Sequence, residues 1–349
     1  MGALALENIN IGGGLAVEYN QYSQCKTRNY SIEEFSSSVV FLLGEIMDAK
    51  NVKHPNIFTE SGRFIVASHT VLITPVLELF SQDYNEELLN LKQTNPPLIN
   101  ELIDLNKLLN NSNCIEYLHD ALDHIESLFT LFDLGYIDLQ DRSNGEILSH
   151  LIIKKALYLK SAHPTNELEQ LQIKLQEKYL INASIFQSLP DYWGLNQHFP
   201  VMPIHHLEIK PQRGASLWDI TCDSDGEIGF NPEKPLYLHD INLDKEDYFL
   251  AFFNVGAYQE TLGMNHNLFT KPSEYTIHID DSNYTITNKA DSDSVIAILD
   301  SIGYDKTQIL NKLEIDLSKS NFITEKEKID TLTKLKSFLQ QNGYLRTTN

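Results

Sequence analysis

Apolar and polar positions alternate with a helical period early in the chain. Ser31 and Glu34 form a typical helix start, and five apolar residues then recur every three or four positions, which predicts a helix over residues 31–48: Phe35, Val39, Leu42, Leu43 and Ile46. A β-branched run at residues 9–11 precedes this helix, and a short strand is predicted over residues 57–60. An apolar stretch over residues 64–79 follows residues 60–63 and is expected to continue this strand. This strand–helix–strand order is typical of a parallel sheet or barrel.

The pattern becomes helical from about residue 82 to residue 178. Breaks are predicted at residues 95–97, 110–112 and 163–164, where Asn, Ser and Pro interrupt the periodic segments. Two apolar stripes at helical spacing predict the core of a helical bundle: Leu102, Leu105, Leu108, Leu109, and Leu118, Leu122, Ile125, Phe129. We therefore interpret this region as a helical insertion.

Strand patterns return after residue 178 and predict a mostly antiparallel β-domain. The predicted strands are residues 179–186, 201–208, 216–222, 248–255 and 275–279. Helices are predicted at 292–302 and 325–342, with Gly343 as the cap of the second. The expected organisation is α/β plus β, in four segments: barrel elements (1–81), helical insertion (82–178), β-domain (179–291) and helical extension (292–349).

Composition narrows the possible partners. The 349 residues are 42% hydrophobic, enough for a sizeable core, and the net charge of −21 argues against nucleic acid because phosphates would be repelled. No apolar run approaches the length of a membrane span, and no signal-peptide pattern opens the chain, so a cytoplasmic protein is expected. The spacing of Cys25, Cys114 and Cys222 fits neither a disulfide framework nor a zinc site. The adjacent His205 and His206 are also poor metal ligands, since neighbours in a strand point apart.

Candidate chemistry begins at three consecutive glycines, Gly12, Gly13 and Gly14, which end the first β-branched run. Glycine tolerates positive φ and lets backbone N–H groups approach an anion, so this loop is a candidate phosphate cradle as well as a simple turn. Further candidates lie at residues 60–63, 219–225 and 254–259. Taken alone, each has an ordinary explanation: a surface ion pair, a buried thiol or a packing notch.

Together and in this order, these motifs resemble the fold-type-III pyridoxal-phosphate decarboxylases, which include ornithine, diaminopimelate and arginine decarboxylases. Five longer strings are most similar to the arginine-specific branch: residues 10–15, 186–191, 199–203, 219–226 and 256–260. The resemblance spans nearly the whole chain. It implies the carboxyl-terminal part of an alanine-racemase-like (β/α)8 barrel, followed by a helical-bundle insertion, a mostly antiparallel β-domain and a carboxyl-terminal helix.

The resemblance also implies roles for individual residues around pyridoxal 5′-phosphate. The residues expected to hold the cofactor are Gly12, Gly13, Gly14, Glu60, Gly62, Arg63 and Tyr258. Glu60 would keep the pyridine nitrogen protonated, Cys222 would reprotonate the substrate carbon, and Asp223 would meet the cationic end of the substrate. Mg²⁺ is a further candidate cofactor with no ligands assigned.

Substrate binding is expected from the first strand and its loop and from three carboxylates that the sequence does not rank. The residues are Ile9, Asn10, Ile11, Gly12, Gly13, Gly14, Leu15, Ala16, Val17, Glu18, Tyr19, Asp191, Asp223 and Asp225. Relatives that act on ornithine carry Asn-Asp-Gly where this chain has Asn182, Ala183 and Ser184, so that aspartate does not set substrate choice here. The implied reaction is decarboxylation of L-arginine to agmatine for polyamine synthesis. Decarboxylation of ornithine, lysine or diaminopimelate is an alternative, as is a non-catalytic regulatory role.

The resemblance implies a homodimer or homotetramer in which Cys222 and Asp223 complete the partner's active site. The cofactor-linking lysine and the ring-stacking histidine of the family belong to the first half of its barrel, and no lysine here lies in the linking motif. The chain is thus expected to lack the first half of the barrel and to be inactive by itself.

Overall fold

The computed structural model describes residues 7–19, 29–81, 84–160, 166–230, 235–281, 283–320 and 324–345. The helices are α1 (Ile32–Lys50), α2 (Gly62–Val66), α3 (Pro97–Leu108), α4 (Cys114–Asp133), α5 (Leu139–Leu159), α6 (Asn166–Lys174), α7 (Ile185–Ser188), α8 (Pro190–Leu195), α9 (Gln259–Leu262), α10 (Val295–Ser301), α11 (Lys306–Lys319) and α12 (Glu325–Leu339). The strands are β1 (Asn8–Gly13), β2 (Asn56–Glu60), β3 (Leu72–Phe80), β4 (Glu177–Ile181), β5 (Val201–Pro203), β6 (Arg213–Trp218), β7 (Glu227–Ile228), β8 (Tyr237–Leu238), β9 (Phe249–Phe252), β10 (Glu274–Ile279) and β11 (Tyr284–Ala290).

The first elements form a β–α–β unit. β1 and β2 pair in parallel, and α1 connects them, as the sequence predicts. The capping box is present: the Ser31 hydroxyl accepts from the Glu34 amide, and the Glu34 carboxylate accepts from the Ser31 amide. The helix ends at Asn51, which takes a left-handed conformation.

The apolar stretch 64–79 is not one continuous element. It contains α2, a 3₁₀ turn over Ala67–His69 and then β3. β3 does not pair with β1 or β2 but belongs to a separate seven-stranded sheet. The sheet order is β5-β9-β3-β4-β6-β7, with β8 also paired to β6. Its pairs are antiparallel except β4 with β6, so the prediction of a mostly antiparallel domain is confirmed.

Helices α3 to α6 pack around a core of their own, as the two apolar stripes predict. Leu102 and Leu118 are completely buried there, and Leu105, Leu122 and Ile125 pack against that core. Leu108, which the stripe places in this core, is exposed instead, and Leu109, where the chain leaves α3, takes the buried position. The breaks at residues 95–97 and 110–112 are confirmed, whereas residues 161–165 and Cys25 lie outside the described ranges.

Several predicted strands are too long. The strand 179–186 ends at Ile181, because Ser184 caps the short helix α7 with its hydroxyl and turns the chain. The strand 201–208 ends at Pro203, 216–222 ends at Trp218, and 248–255 is limited to β9. The strand 275–279 is confirmed, and its hairpin partner β11 was not predicted.

The carboxyl-terminal helices differ from the prediction in their ends. The helix predicted over residues 292–302 is confirmed as α10, and α11 was not predicted. Helix α12 ends at Leu339 with Gln340 as its cap, so the prediction that Gly343 caps it is wrong.

Candidate active site

The glycine loop lies beside Glu60 because β1 and β2 are neighbours. The strand register shifts between Asn10 and Gly13, which brings Gly13 opposite Glu60. A Cβ at Gly13 would lie 2.6 Å from the Glu60 carbonyl oxygen, so only glycine permits this approach. The Asn10 amide donates to the exposed Glu60 carboxylate at 2.7 Å and orients it.

Gly12 and Gly14 both have positive φ, of 78° and 82°. A Cβ at either position would meet no atom of the described residues within 4 Å, so the loop borders open space in this part of the structure. The Asn10 side chain accepts from the Gly12 amide and fixes the turn at 2.9 Å. The loop therefore presents backbone to an open volume next to a carboxylate.

Arg63 adds a cation to this group of residues. Its Nη1 lies 2.8 Å from Oδ2 of the buried Asp191 and 3.1 Å from the Tyr19 hydroxyl. The guanidinium also lies over the Tyr258 ring, with 4.8 Å between Cζ and the ring centroid. Both contacts with oxygen use Nη1, so Nη2 and Nε have no partner among the described residues and can bind an anion.

Tyr258 is held near this cation by an unusual backbone. It has a φ of 70°, in the left-handed region, and its hydroxyl lies 3.6 Å from the position of a Cβ on Gly62. The preceding turn packs tightly against the turn after α2, because the Gly256 amide donates to the Ala67 carbonyl at 2.8 Å. The donor set, a guanidinium, a phenol and a glycine loop, fits a phosphate, and Glu60 fits a protonated ring nitrogen. Pyridoxal phosphate carries both a phosphate and a ring nitrogen.

The predicted residues Cys222, Asp223 and Asp225 lie on a second loop, after β6. Asp219 anchors this loop: its carboxylate accepts from the Ile185 amide at 2.9 Å and from the Thr221 amide at 2.9 Å. Burial raises the pKa of Asp219, while its hydrogen bonds to Thr221 and Ile185 oppose that shift. The Asp223 carboxylate caps the following 3₁₀ turn by accepting from the Asp225 amide at 3.0 Å.

The structure thus places the predicted site residues in two groups. Glu60 lies beside the glycine loop, and Arg63, three residues further on, contacts Tyr258, whereas Cys222 and Asp223 lie on the loop after β6. Within the described part of the chain, no hydrogen bond, ion pair or ring contact joins the two groups. Asp191 was predicted as a substrate-binding candidate, and its carboxylate is engaged with Arg63.

Sequence reasoning missed two residues that contact the second loop. His266 lies 3.3 Å from the Asp223 carboxylate, and the Asn267 side chain accepts from the Cys222 amide at 3.1 Å. They come from the turn after α9, where no hydrophobic period or known motif marks them.

Asn182, directly after β4, binds the carboxyl-terminal segment. Its amide nitrogen donates to the Leu345 carbonyl at 2.6 Å, and its oxygen accepts from the Leu345 amide at 3.2 Å. The carboxyl-terminal segment is therefore bound next to β4.

Two features are absent from the described residues. No set of three or more His, Cys, Asp or Glu side chains there is arranged to bind a metal ion. No described helix combines the length and hydrophobicity needed to cross a bilayer.

Two parts of the chain match known family models. Residues 1–67 match the pyridoxal-binding domain of the pyridoxal-dependent decarboxylases. Residues 92–172, which cover α3 to α5 and most of α6, match the arginine decarboxylase helical bundle domain. These matches relate the chain to the pyridoxal-dependent decarboxylases, and the chemistry of the glycine loop, Glu60 and Arg63 suits that cofactor.

Three relatives that are similar to most of the chain are all biosynthetic arginine decarboxylases. The chain is 37% identical to the biosynthetic arginine decarboxylase of Phocaeicola vulgatus over 90% of its own length and 51% of the relative's. It is 38% identical to that of Pelobacter propionicus, over 97% of this chain and 56% of the relative. The crystal structure of the Campylobacter jejuni biosynthetic arginine decarboxylase matches 98% of this chain and 57% of its own, with 52% identity and a TM-score of 0.89.

The chain belongs to the biosynthetic arginine decarboxylase family and has its fold. It spans about half the length of the curated relatives it matches.

Proposed function

We propose that the full-length protein containing this chain decarboxylates L-arginine to agmatine and CO₂ with pyridoxal 5′-phosphate. The observation that carries the proposal is that Glu60 lies opposite the glycine loop while Arg63, three residues further on, lies over the Tyr258 ring. The carboxylate suits the ring nitrogen of the cofactor, and the guanidinium and phenol suit its phosphate.

The phosphate would be bound by loop amides other than that of Gly12, which donates to Asn10, by the Tyr258 hydroxyl and by the Nε–Nη2 edge of the Arg63 guanidinium. Charge-assisted hydrogen bonds of this kind contribute about 1.5–3 kcal/mol each. Asp191 would fix the guanidinium from its other side, since its carboxylate is buried and 2.8 Å from Nη1. We therefore rank Asp191 last among the three carboxylates that could bind substrate.

Glu60 would hold a proton on the pyridine nitrogen. Bound pyridoxal phosphate supplies an electron sink for the electron pair that remains when CO₂ departs. A carboxylate beside the ring nitrogen stabilises the protonated form, in which the ring accepts electrons best. Asn10 would keep that carboxylate in place through its 2.7 Å hydrogen bond.

Cys222 would return a proton to the substrate carbon, and Asp223 would bind the guanidinium of arginine. A planar guanidinium favours a carboxylate with two free acceptor positions. Both remaining candidates already accept one hydrogen bond, Asp223 from the Asp225 amide at 3.0 Å and Asp225 from the Trp193 indole at 3.3 Å. The resemblance to the family places Asp223 first and Asp225 second. Since the two groups of site residues do not meet in one chain, we propose that a partner subunit brings Cys222 and Asp223 to the cofactor in a homodimer or homotetramer.

Further features of the proposal come from the family. They are a barrel completed by residues outside this chain, with the insertion and β-domain as separate units, and a cytoplasmic location. A Mg²⁺ requirement is also proposed, without assigned ligands. The alternatives are a decarboxylase of another basic amino acid and a regulatory homologue, and the presence of Glu60 beside a phosphate cradle favours an enzyme over the latter.

The test is CO₂ release by the purified full-length protein from arginine, ornithine and lysine supplied singly. We expect arginine to have the highest kcat/KM. Equal or better turnover of ornithine would overturn the arginine assignment, and no release from any of the three would favour the regulatory alternative.

A further inference from the structure

The segment Met264–Phe269 packs against the loop that carries Cys222 and Asp223. The Met264 amide donates to the Phe186 carbonyl at 3.0 Å, and the His266 ring lies on the Phe186 ring with 4.4 Å between centroids. Asn267 and Leu268 are both left-handed, with φ of 52° and 63°. A left-handed backbone at two consecutive residues is unfavourable for L-amino acids, so packing must hold this turn in place.

The amide oxygen of Asn267 makes two contacts with one residue. It lies 3.1 Å from the Cys222 backbone nitrogen and 3.6 Å from the Cys222 sulfur. A backbone N–H can only donate, so the Asn267 atom that faces it must be the oxygen rather than the amide nitrogen. The thiol can bond that same oxygen only as a donor, that is, while it carries its proton.

The neighbouring His266 lies beside Asp223, the residue after Cys222. Its Nε2 lies 3.3 Å from Oδ2 of Asp223, whose other oxygen accepts from the Asp225 amide. The ionisable groups around the thiol are Asp219, Asp223 and Asp225 on its own loop and His266 on the facing segment. From the carboxyl-terminal segment, Tyr344 interacts with Asp219.

We propose that Asn267 is a positioning residue that accepts a hydrogen bond from the Cys222 thiol and aims its proton for delivery. The Asn267 oxygen can bond an S–H but not a thiolate, so the 3.6 Å contact orients the thiol while it carries that proton. The inference rests on the proposed role of Cys222.

The backbone of Asn267 offers a matched pair of variants. Gly, Asn and Asp all tolerate positive φ, so Asn267→Gly removes the acceptor while Asn267→Asp keeps it and adds negative charge. The measurement is the rate of alkylation of Cys222 by iodoacetamide at fixed pH in the full-length protein, followed by mass spectrometry of the peptide that contains Cys222. Alkylation follows the thiolate fraction.

We expect Asn267→Gly to alkylate about threefold or more faster than wild type, as loss of one hydrogen bond implies. Asn267→Asp should alkylate about threefold or more slower, because the added charge opposes a thiolate. A purely structural role would loosen the loop and accelerate both variants. Acceleration of both, or a Gly variant equal to wild type, would overturn the proposal.

Turnover separates this inference from the proposed function. Asn267→Gly should lower kcat for arginine about tenfold and leave KM within about twofold, since positioning acts on proton delivery. If Cys222→Ser keeps wild-type turnover, the catalytic role of Cys222 fails. The opposite alkylation shifts of the two Asn267 variants would in that case still establish the hydrogen bond.

Discussion

The contact of Gly256 with the turn after α2 gives a sharp test of how the site is assembled. In Gly256→Ala the new Cβ would lie 2.1 Å from the Val66 carbonyl oxygen and 3.0 Å from the Ala67 carbonyl oxygen. Both are backbone atoms, so a rotamer change cannot relieve the overlap. Ordinary contact begins at 3.4 Å, and the two segments must therefore separate by about 1.3 Å.

The expected loss of stability follows from the hydrogen bonds that this separation would break. The Gly256 amide donates to the Ala67 carbonyl at 2.8 Å, and the Val255 amide donates to the Thr70 carbonyl at 3.3 Å. Overpacking costs about 1–3 kcal/mol, and each lost hydrogen bond adds about 1 kcal/mol. We expect the free energy of unfolding to fall by about 3 kcal/mol.

The matched control is Gly194→Ala in α8, where a Cβ would meet nothing within 4 Å. Alanine is favoured over glycine inside a helix, so this variant should be as stable as wild type or gain about 0.5–1 kcal/mol. Urea unfolding of the full-length protein, followed by circular dichroism, measures both. An unfolding midpoint for Gly256→Ala equal to that of wild type would refute the packing argument.

Three further predictions concern the two groups of site residues. Glu60→Gln should retain pyridoxal phosphate after dialysis but lose most arginine decarboxylation, and wild-type turnover would make Glu60 merely structural. Asp191→Asn should lower the free energy of unfolding by about 1–2 kcal/mol, less than for a fully buried pair because Arg63 is partly exposed, and leave KM for arginine within about twofold. A tenfold rise in KM at unchanged stability would return Asp191 to substrate binding. Mixed Glu60→Gln and Cys222→Ala subunits, each inactive alone, should recover about a quarter of wild-type activity, since half the dimers carry one intact site. Inactivity after proven subunit exchange would place each site within one chain.

The sequence predicts the local elements better than the chain reversals between them. The helix α1 is predictable because its capping box and apolar period agree, and both are local. The end of β4 is not, because polar and apolar residues alternate after Ile181 as they do in a half-buried strand, and only the Ser184 cap turns them into α7. The assignment of β3 to the larger sheet depends on its pairing with β4 and β9, which are distant in the sequence.

The site likewise combines features that the sequence predicts with contacts that it does not. The glycine loop and the residues around Glu60 carry recognisable strings, so they can be found without a structure. The pairing of Asp191 with Arg63 and the hydrogen bond from Cys222 to Asn267 join residues far apart in the chain. Neither contact leaves a periodic or compositional signal.

The preference for arginine over ornithine and lysine can be measured in a single competition assay. The full-length protein with pyridoxal phosphate would receive arginine, ornithine and lysine at equal concentrations, with the amine products identified by mass spectrometry. We expect agmatine to exceed putrescine and cadaverine by about tenfold or more, the ratio that about 1.4 kcal/mol of discrimination at the transition state provides. A mixture dominated by putrescine or cadaverine would contradict it.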